Sequence, residues 1–199
     1  MANIDITIST IAVVGKIMPK PTNLNPKEIE QILRPPFSIS ESPTGTLISS
    51  QKDQIEVIAG GIKLNVRDFS GKDDFTENKI PEIIHYFMEK TQADVQSYGI
   101  NFIVTVEQDN PESWIANNII SSDISEKIGK TITGSSATLR LDAGQKIINL
   151  KIDPNDRGYI NIDFNASETA TELPNIAQLK DQQSTYYGEL KRIINNMGL

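Results

Sequence analysis

Cysteine is absent from this 199-residue sequence, and histidine and tryptophan each occur once. The absence of cysteine excludes disulfide bonds, thiolate metal ligands and cysteine nucleophiles. A single histidine, His85, excludes histidine-rich metal sites and leaves one residue for any Ser-His-Asp arrangement. Because His85 lies in a helical pattern, where a lone histidine is usually a packing or surface residue, we assign it no catalytic role.

Long apolar segments are also absent. No stretch approaches the roughly 20 residues that a membrane span needs. The first ten residues, MANIDITIST, contain neither the basic region nor the apolar run of a signal peptide. The sequence therefore predicts a protein without a membrane partner, and we expect a cytoplasmic location.

Positive charge is scarce and scattered. The sequence has 19 Lys and Arg against 26 Asp and Glu, which gives a net charge of −7. Duplex DNA would repel this charge overall, so nucleic acid is an unlikely partner. A nucleic-acid function would need a basic face assembled by the fold from Lys63, Arg67, Arg140, Lys146 and Lys151. That hypothesis fails if these residues are dispersed or paired with acids.

Phosphate-binding and calcium-binding loops are missing too. GKTITGSS at 129–136 contains Gly-Lys-Thr, but Ile124 stands where the Walker pattern needs a glycine. DPNDRGYINIDF at 153–164 begins like an EF-hand loop, but Arg157 and Phe164 occupy positions that need oxygen ligands. We interpret it as a β-turn between two strands. The sequence thus predicts no cofactor, no metal site and no catalytic residue, and favours a protein that is not an enzyme.

The sequence does contain a regular order of strand and helix patterns. The first half begins with a strand at 4–17 that has Ile4, Ile6 and Ile8 on one face. A helix follows from Pro26, with Ile29, Ile32 and Leu33 on one stripe. Strands at 46–50, 54–59 and 62–69 come next, with a Gly60-Gly61 hairpin turn between the last two, and then a helix from Pro81. The second half has a strand at 100–108, a helix at 111–120, strands at 137–141, 146–152 and 158–164, and a C-terminal helix that buries Ile176, Leu179, Leu190, Ile193 and Ile194.

Three landmarks recur in the same order in the two halves. They are Asn-Pro at a helix start (25–26 and 110–111), LNV and INI in a strand (64–66 and 160–162), and KIPEII and ELPNIA at a second helix start (79–84 and 172–177). Their order and similar spacing predict an internal duplication, with an insertion after the first helix of the second half. We expect β-α-β-β-β-α units at 1–97 and 98–199, together forming one domain.

Such units predict an α+β fold, in which an antiparallel sheet buries one face beneath helices. Two half-sheets joined edge to edge would form one curved sheet with pseudo-two-fold symmetry. This element order resembles the TATA-binding-protein-like fold, where a β-α-β(n)-α unit is duplicated, and more loosely the helix-grip folds. The resemblance covers most of the chain but only as an order of elements, so it implies a fold and no functional residue.

These patterns favour a non-enzymatic binding or assembly module of unknown partner that acts through an exposed sheet face or an edge strand. The candidate surface consists of Lys63, Asn65, Arg67, Asn161 and Asp163. We expect a protein partner or self-association, with IDITIST at 4–10 as an outer edge strand that can pair. The alternative is a small-molecule-binding protein or hydrolase with a pocket between the sheet and the C-terminal helix. A closed apolar pocket would favour the alternative, and a filled core would favour the binding module.

Overall fold

The computed structural model describes residues 4–16, 26–43, 45–91, 94–120, 136–142, 146–155 and 157–199. Within them, the strands are β1 Ile4–Lys16, β2 Phe37–Ser42, β3 Gly45–Ser50, β4 Ile55–Gly60, β5 Lys63–Asp68, β6 Asp94–Glu107, β7 Ala137–Asp142, β8 Lys146–Asn155 and β9 Tyr159–Thr169. The described α-helices are α1 Pro26–Ile29, α2 Ile80–Thr91, α3 Pro111–Asn118 and α4 Ile176–Asn196, with a 3-10 turn at Phe75–Glu77. The predicted α+β class is confirmed.

All nine of these strands form one antiparallel sheet in the order β2-β3-β4-β5-β1-β6-β9-β8-β7. The two long strands β1 and β6 form the central pair, in which Ile11 lies opposite Ile100. The prediction that residues 4–10 belong to an outer edge strand is wrong, because β1 lies inside the sheet: β6 pairs along its length, and β5 pairs with residues 9–14 on its other side. Among the described strands, the free edges belong to β2 and β7.

Alternate residues of the strands are buried beneath the helices, as the two-residue period of a strand requires. In β9, for example, Ile160, Ile162 and Phe164 are fully buried. Helix α2 contacts β5 and β1, α3 contacts β8, and α4 contacts β6. The buried side chains of both halves of the chain join in a single hydrophobic core.

Helix α4 begins with a reciprocal cap. The Asn175 side chain accepts a hydrogen bond from the Gln178 backbone N–H at 2.9 Å, and the Gln178 side chain accepts one from the Asn175 N–H at 3.0 Å. Leu179 and Leu190 are buried as predicted, but Ile176 is 36% exposed. Ile176 is the first residue of the helix, and the buried stripe begins only at the next turn.

The chain also differs from the predicted elements at β2 and α1. Strand β2 was not predicted, because its sequence FSISES is mostly polar and follows two prolines. The helix predicted to run from Pro26 through Leu33 ends at Ile29. Ile29 and Leu33 are nevertheless both buried, and the Leu33 N–H donates to the Ile29 carbonyl at 2.8 Å.

Candidate functional site

The described helices pack on one face of the sheet, and the opposite face, called the open face below, is formed by the side chains that alternate with the buried ones. In β5 the buried residues are Leu64 and Val66, so Lys63, Asn65 and Arg67 lie on the open face. The same alternation places Asn101 of β6 and Asn161, Asp163 and Asn165 of β9 there. The open face therefore presents these polar side chains on the side of the sheet that the described helices leave uncovered.

A single row of polar side chains crosses the open face from edge to edge. Cross-strand pairing places Ser38, Ser49, Glu56, Arg67, Thr10, Asn101, Asn165, Asn149 and Arg140 directly opposite one another, in that order. We call these nine residues the polar row. The Asn165 amide donates to Asn101 Oδ1, and Arg67 lies 4.0 Å from Glu56.

The five residues predicted as an interaction surface all lie on strands that contribute to the open face, but in two groups. Lys63, Asn65 and Arg67 are on β5, whereas Asn161 and Asp163 are on β9. Strands β1 and β6 lie between them, which separates the groups by about 14 Å across the strands at about 4.8 Å per strand, and Asn161 and Asp163 are also displaced along β9 from the row that contains Arg67. Only Arg67 belongs to the polar row. The other members escaped prediction because strand alternation is visible in the sequence, while cross-strand register is not.

Asp163 is an open-face residue whose carboxyl ionisation is altered by its surroundings. It lies opposite Lys151 of β8. Although the residue itself is exposed, the surrounding sheet removes enough water to raise the pKa of its carboxyl. Lys151 acts in the opposite direction, and Asp153 adds to the rise.

The basic residues that a nucleic-acid site would need are dispersed and mostly paired. Lys146 lies 3.4 Å from Glu168, Lys151 lies 2.5 Å from Asp153, and Arg67 lies 4.0 Å from Glu56. Lys146 also lies on the helix-covered face, 4.5 Å from the centre of the Tyr186 ring. The remaining two, Lys63 and Arg140, are on β5 and β7, with four strands between them. In the described part of the chain, these five side chains therefore do not form one continuous basic face.

A groove with a volume of about 490 Å³ lies beside helix α4 and is lined by Tyr98, Glu168 and Gln182 among others. The Glu168 carboxylate accepts hydrogen bonds from the hydroxyls of Tyr98, at 2.9 Å, and Tyr186. Gln182 Nε2 donates to the Tyr98 hydroxyl at 3.0 Å. This is the feature nearest to the predicted pocket between sheet and C-terminal helix, but it is open to solvent rather than closed.

The surroundings of this cluster determine the protonation states of its three members. Burial alone would raise the pKa of Glu168, but hydrogen bonds from Tyr186 and Tyr98 and the charge of Lys146 outweigh it and lower the pKa. Burial and the Glu168 contact raise the pKa of Tyr98 to about 12 and raise that of Tyr186 as well. At neutral pH the carboxylate is therefore ionised and occupied by donors, and both tyrosines hold their protons.

A second polar cluster is centred on Asp53, beside a small cavity of about 80 Å³. Its carboxylate is almost fully buried and lies 2.5 Å from Arg34 and 3.2 Å from Lys79. The lone histidine lies elsewhere: His85 Nε2 is 2.8 Å from the Pro174 carbonyl oxygen and joins α2 to the segment before α4. In the described residues, no three His, Asp or Glu side chains are placed to hold a metal ion.

Comparison with known proteins adds no identification, since neither a family model nor a curated protein matches the sequence. None of the described helices combines the length and the apolar character needed to span a bilayer.

Proposed function

We propose that this protein is a non-enzymatic binding or assembly module that holds a protein partner on its open face. The observation that carries the proposal is the polar row, which extends across all nine described strands on the face that the described helices leave uncovered. Three neighbouring asparagines at its centre, Asn101, Asn165 and Asn149, offer both donors and acceptors. Arg67 and Arg140 flank them, and arginine is enriched at protein interfaces.

The dimensions of the open face suit a protein partner. Nine strands spaced at about 4.8 Å give a width of about 38 Å, and strands of six residues give a height of about 20 Å. The product, about 760 Å², is close to the roughly 800 Å² per partner that a standard interface buries. A small molecule would occupy only a fraction of such a surface.

The packing between the sheet and α4, on the face opposite the open face, also favours a protein partner over a small molecule. Aromatic side chains fill the space between the sheet and α4: the ring centres of Phe102 and Tyr187 are 5.6 Å apart, and those of Phe75 and Phe102 are 5.5 Å apart. Phe164 and Tyr186 extend this cluster, with ring centres 6.5 Å apart. A filled core leaves the sheet surface, rather than the interior, as the site of binding.

We also propose the internal duplication that the sequence predicts, with units at 1–97 and 98–199. The strand order supports it, because the strands follow outward as β5, β4 and β3 on one side of the central pair and as β9, β8 and β7 on the other. A long helix follows the last strand of each half. The two candidate groups, around Asn65 and around Asn161, would then occupy equivalent places in the two units, as in the duplicated TATA-binding-protein-like fold.

Reversal of charge on the open face tests the proposal. The affinity-tagged protein is used to capture partners from cells that express it, and mass spectrometry compares the captured proteins with those held by the variant Arg67→Glu/Arg140→Glu. The matched control is Lys52→Glu/Arg192→Glu, which reverses two exposed charges away from the open face, on the turn before β4 and on helix α4. We expect the open-face variant to lose the partner at least tenfold and the control to keep it. Equal capture by both variants would contradict the proposal.

A small-molecule function is the second candidate, because polar groups converge on the groove beside α4. Native mass spectrometry of the purified protein tests it. A retained mass of a few hundred daltons that Gln182→Trp removes, by filling the groove, would favour this candidate over the binding module. Retention of the same mass by the variant would exclude the groove as its site.

A further inference from the structure

We propose that strand β2 pairs with β2 of a second copy of this chain, so that two nine-stranded sheets continue into one across a two-fold axis. This inference names a partner for the assembly function proposed above, and it uses the sheet edge rather than the open face. Failure of one therefore leaves the other standing.

The first observation is that the β2 edge lacks three common forms of protection, namely a bulge, a lysine and a proline within the strand. Among the described strands, β2 pairs only with β3, and Ser38 through Ser42 are all exposed. The register from Phe37 opposite Ser50 to Ser42 opposite Gly45 is uninterrupted, so the strand has no bulge. It contains neither lysine nor proline. Natural proteins normally guard an edge with such features, because its unpaired backbone groups recruit other strands.

The opposite edge is different. Strand β7 carries Arg140 near its middle, on the open face. A two-fold pairing centred on that residue would place two guanidinium groups directly opposite each other, which is destabilising. The only charge within β2 is Glu41, near one end.

The backbone of β2 defines a specific register for the pairing. In an antiparallel ladder, alternate residues turn their N–H and C=O groups towards the same neighbour. Ser42 and Gly45 close the β2–β3 hairpin as a hydrogen-bonded pair, so Ser42, Ser40 and Ser38 face β3. By this alternation, Phe37, Ile39 and Glu41 turn their backbone groups towards the free edge.

A two-fold axis at Ile39 then uses all of these outward groups. Ile39 pairs with Ile39 of the second copy, and Phe37 pairs with Glu41 on either side, so that each of three residue pairs exchanges two backbone hydrogen bonds. A shift of the axis to Ser40 would leave the outward groups of Phe37 without partners. The complementarity therefore selects one register.

The side chains fit this register as well. Ile39 is 42% exposed and would pack against its equivalent. Ser38 would lie opposite Ser40 on the other face, where small hydroxyls meet without steric conflict. Glu41 would lie opposite Phe37, so no like charges meet.

The area is small for a stable dimer. One pair of six-residue strands buries well under the roughly 1,600 Å² of a standard interface. We therefore expect a weak dimer with a dissociation constant in the micromolar range, which forms where the protein is concentrated.

Sedimentation equilibrium of the full chain, from about 5 µM to about 1 mM, measures the dimer. We expect dimerisation that Ile39→Lys weakens at least tenfold, because two ammonium groups would then meet at the axis. The matched control is Leu139→Lys on the β7 edge, where Leu139 is 37% exposed, and it should dimerise as wild type does. A wild-type protein that stays monomeric, or a dimer that Ile39→Lys leaves intact, would overturn the proposal.

A cysteine experiment tests the register and remains decisive if Ile39→Lys fails to fold. Because the chain has no cysteine, each introduced thiol is unique. Ser38→Cys and Ser40→Cys face each other in the proposed dimer as a pair that exchanges no backbone hydrogen bonds, with Cα atoms about 4.5 Å apart, within disulfide range. Under mild oxidation, a mixture of the two variants should cross-link at least five times faster than either alone. Equal rates would refute the register.

The open-face variant Arg67→Glu/Arg140→Glu should dimerise normally, which separates this inference from the proposed function.

Discussion

Arg34 and Asp53 are joined twice: one carboxylate oxygen accepts from the Arg34 backbone N–H at 2.6 Å, and the other accepts from Arg34 Nε at 2.5 Å. Lys79 Nζ adds a third contact at 3.2 Å. The Asp53 side chain is only 1% exposed. This carboxylate connects three separate segments: the residues after α1, the turn between β3 and β4, and the residue before α2.

We expect Asp53→Asn to lower the free energy of unfolding at pH 7 by about 2 kcal/mol, since it weakens several hydrogen bonds to a buried charged group. Burial acts to raise the pKa of Asp53, but the bonds from Arg34 and Lys79 outweigh it and lower the pKa below 3.8. The carboxylate therefore stabilises the fold above about pH 4, and this stabilisation is lost as pH falls through the folded-state pKa. Urea unfolding of wild type and variant should show a difference that shrinks below pH 4. The exposed Asp181→Asn serves as the control, and an equal loss in both would contradict the prediction.

Gln183 is fully buried in α4, and within the described residues neither its amide nitrogen nor its amide oxygen has a hydrogen-bond partner. We expect Gln183→Met, which keeps the length of the side chain, to raise the free energy of unfolding by about 1 kcal/mol. Urea denaturation measures this gain as a higher midpoint, while the dependence of the free energy of unfolding on urea concentration stays unchanged. The neighbouring Gln182→Met removes the bond to Tyr98 and should give no gain. If Gln183→Met instead lowers the free energy of unfolding, the Gln183 amide has hydrogen-bond partners in solution and the prediction is wrong.

Glu168 controls the ionisation of Tyr98. Because burial and the Glu168 hydrogen bond raise the pKa of Tyr98 to about 12, we expect Glu168→Gln to shift that pKa towards 10. Ultraviolet titration of tyrosinate absorbance, with Tyr98→Phe to identify the signal, measures the shift. Glu172→Gln in the same groove is the control and should leave it in place. In the wild type, the raised pKa also means that stability from neutral Tyr98 is complete below pH 10 and is lost as pH rises through about 12.

Gly45 occupies a position with no room for a side chain. A Cβ atom there would lie 2.4 Å from the backbone oxygen of Ala59 on the neighbouring strand β4. We expect Gly45→Ala to destabilise the fold by about 1–3 kcal/mol, because backbone atoms must move. Gly61→Ala, whose Cβ would meet no atom within 4 Å, is the matched control. Thermal unfolding of the two variants should differ, and an unchanged midpoint for Gly45→Ala would contradict this geometry.

Periodicity in the sequence was sufficient to find the elements with regular apolar spacing and insufficient for the others. The strand predicted at 4–17 is β1, Ile4–Lys16. Ile4, Ile6 and Ile8 do not share one face, however, because the register shifts between Ile6 and Ile8 and places Ile8 opposite Ile103 on the open face. A bulge of this kind adds one residue without any change in composition. The strand at 158–164 continues to Thr169 through polar residues whose pairing with β6 no local pattern reveals.

For the candidate surface too, the sequence indicated the alternation along one strand but not the alignment between strands. Alternation with buried residues identified Lys63, Asn65 and Arg67 as neighbours on one strand. The sequence could not indicate that Arg67 aligns with Asn101 through Thr10, because that alignment depends on the register of three strands. The turn between β4 and β5 shows how sensitive register is: the loop residues are Gly61 and Ile62 rather than Gly60 and Gly61, because Gly60 pairs with Lys63.

The central position of β1 has a consequence for biosynthesis. Strand β1 can pair with β5 as soon as β5 is synthesised, but its other neighbour, β6, ends at Glu107. At translation rates of about 5–20 residues per second, the stretch from the end of α2 at Thr91 to Glu107 takes about 1–3 s to synthesise. During that time, the nascent first half carries an unpaired edge rich in Ile and Val. Such an edge is the kind of segment that aggregates or engages chaperones, so we expect slower translation through β6 to lower the yield of folded protein.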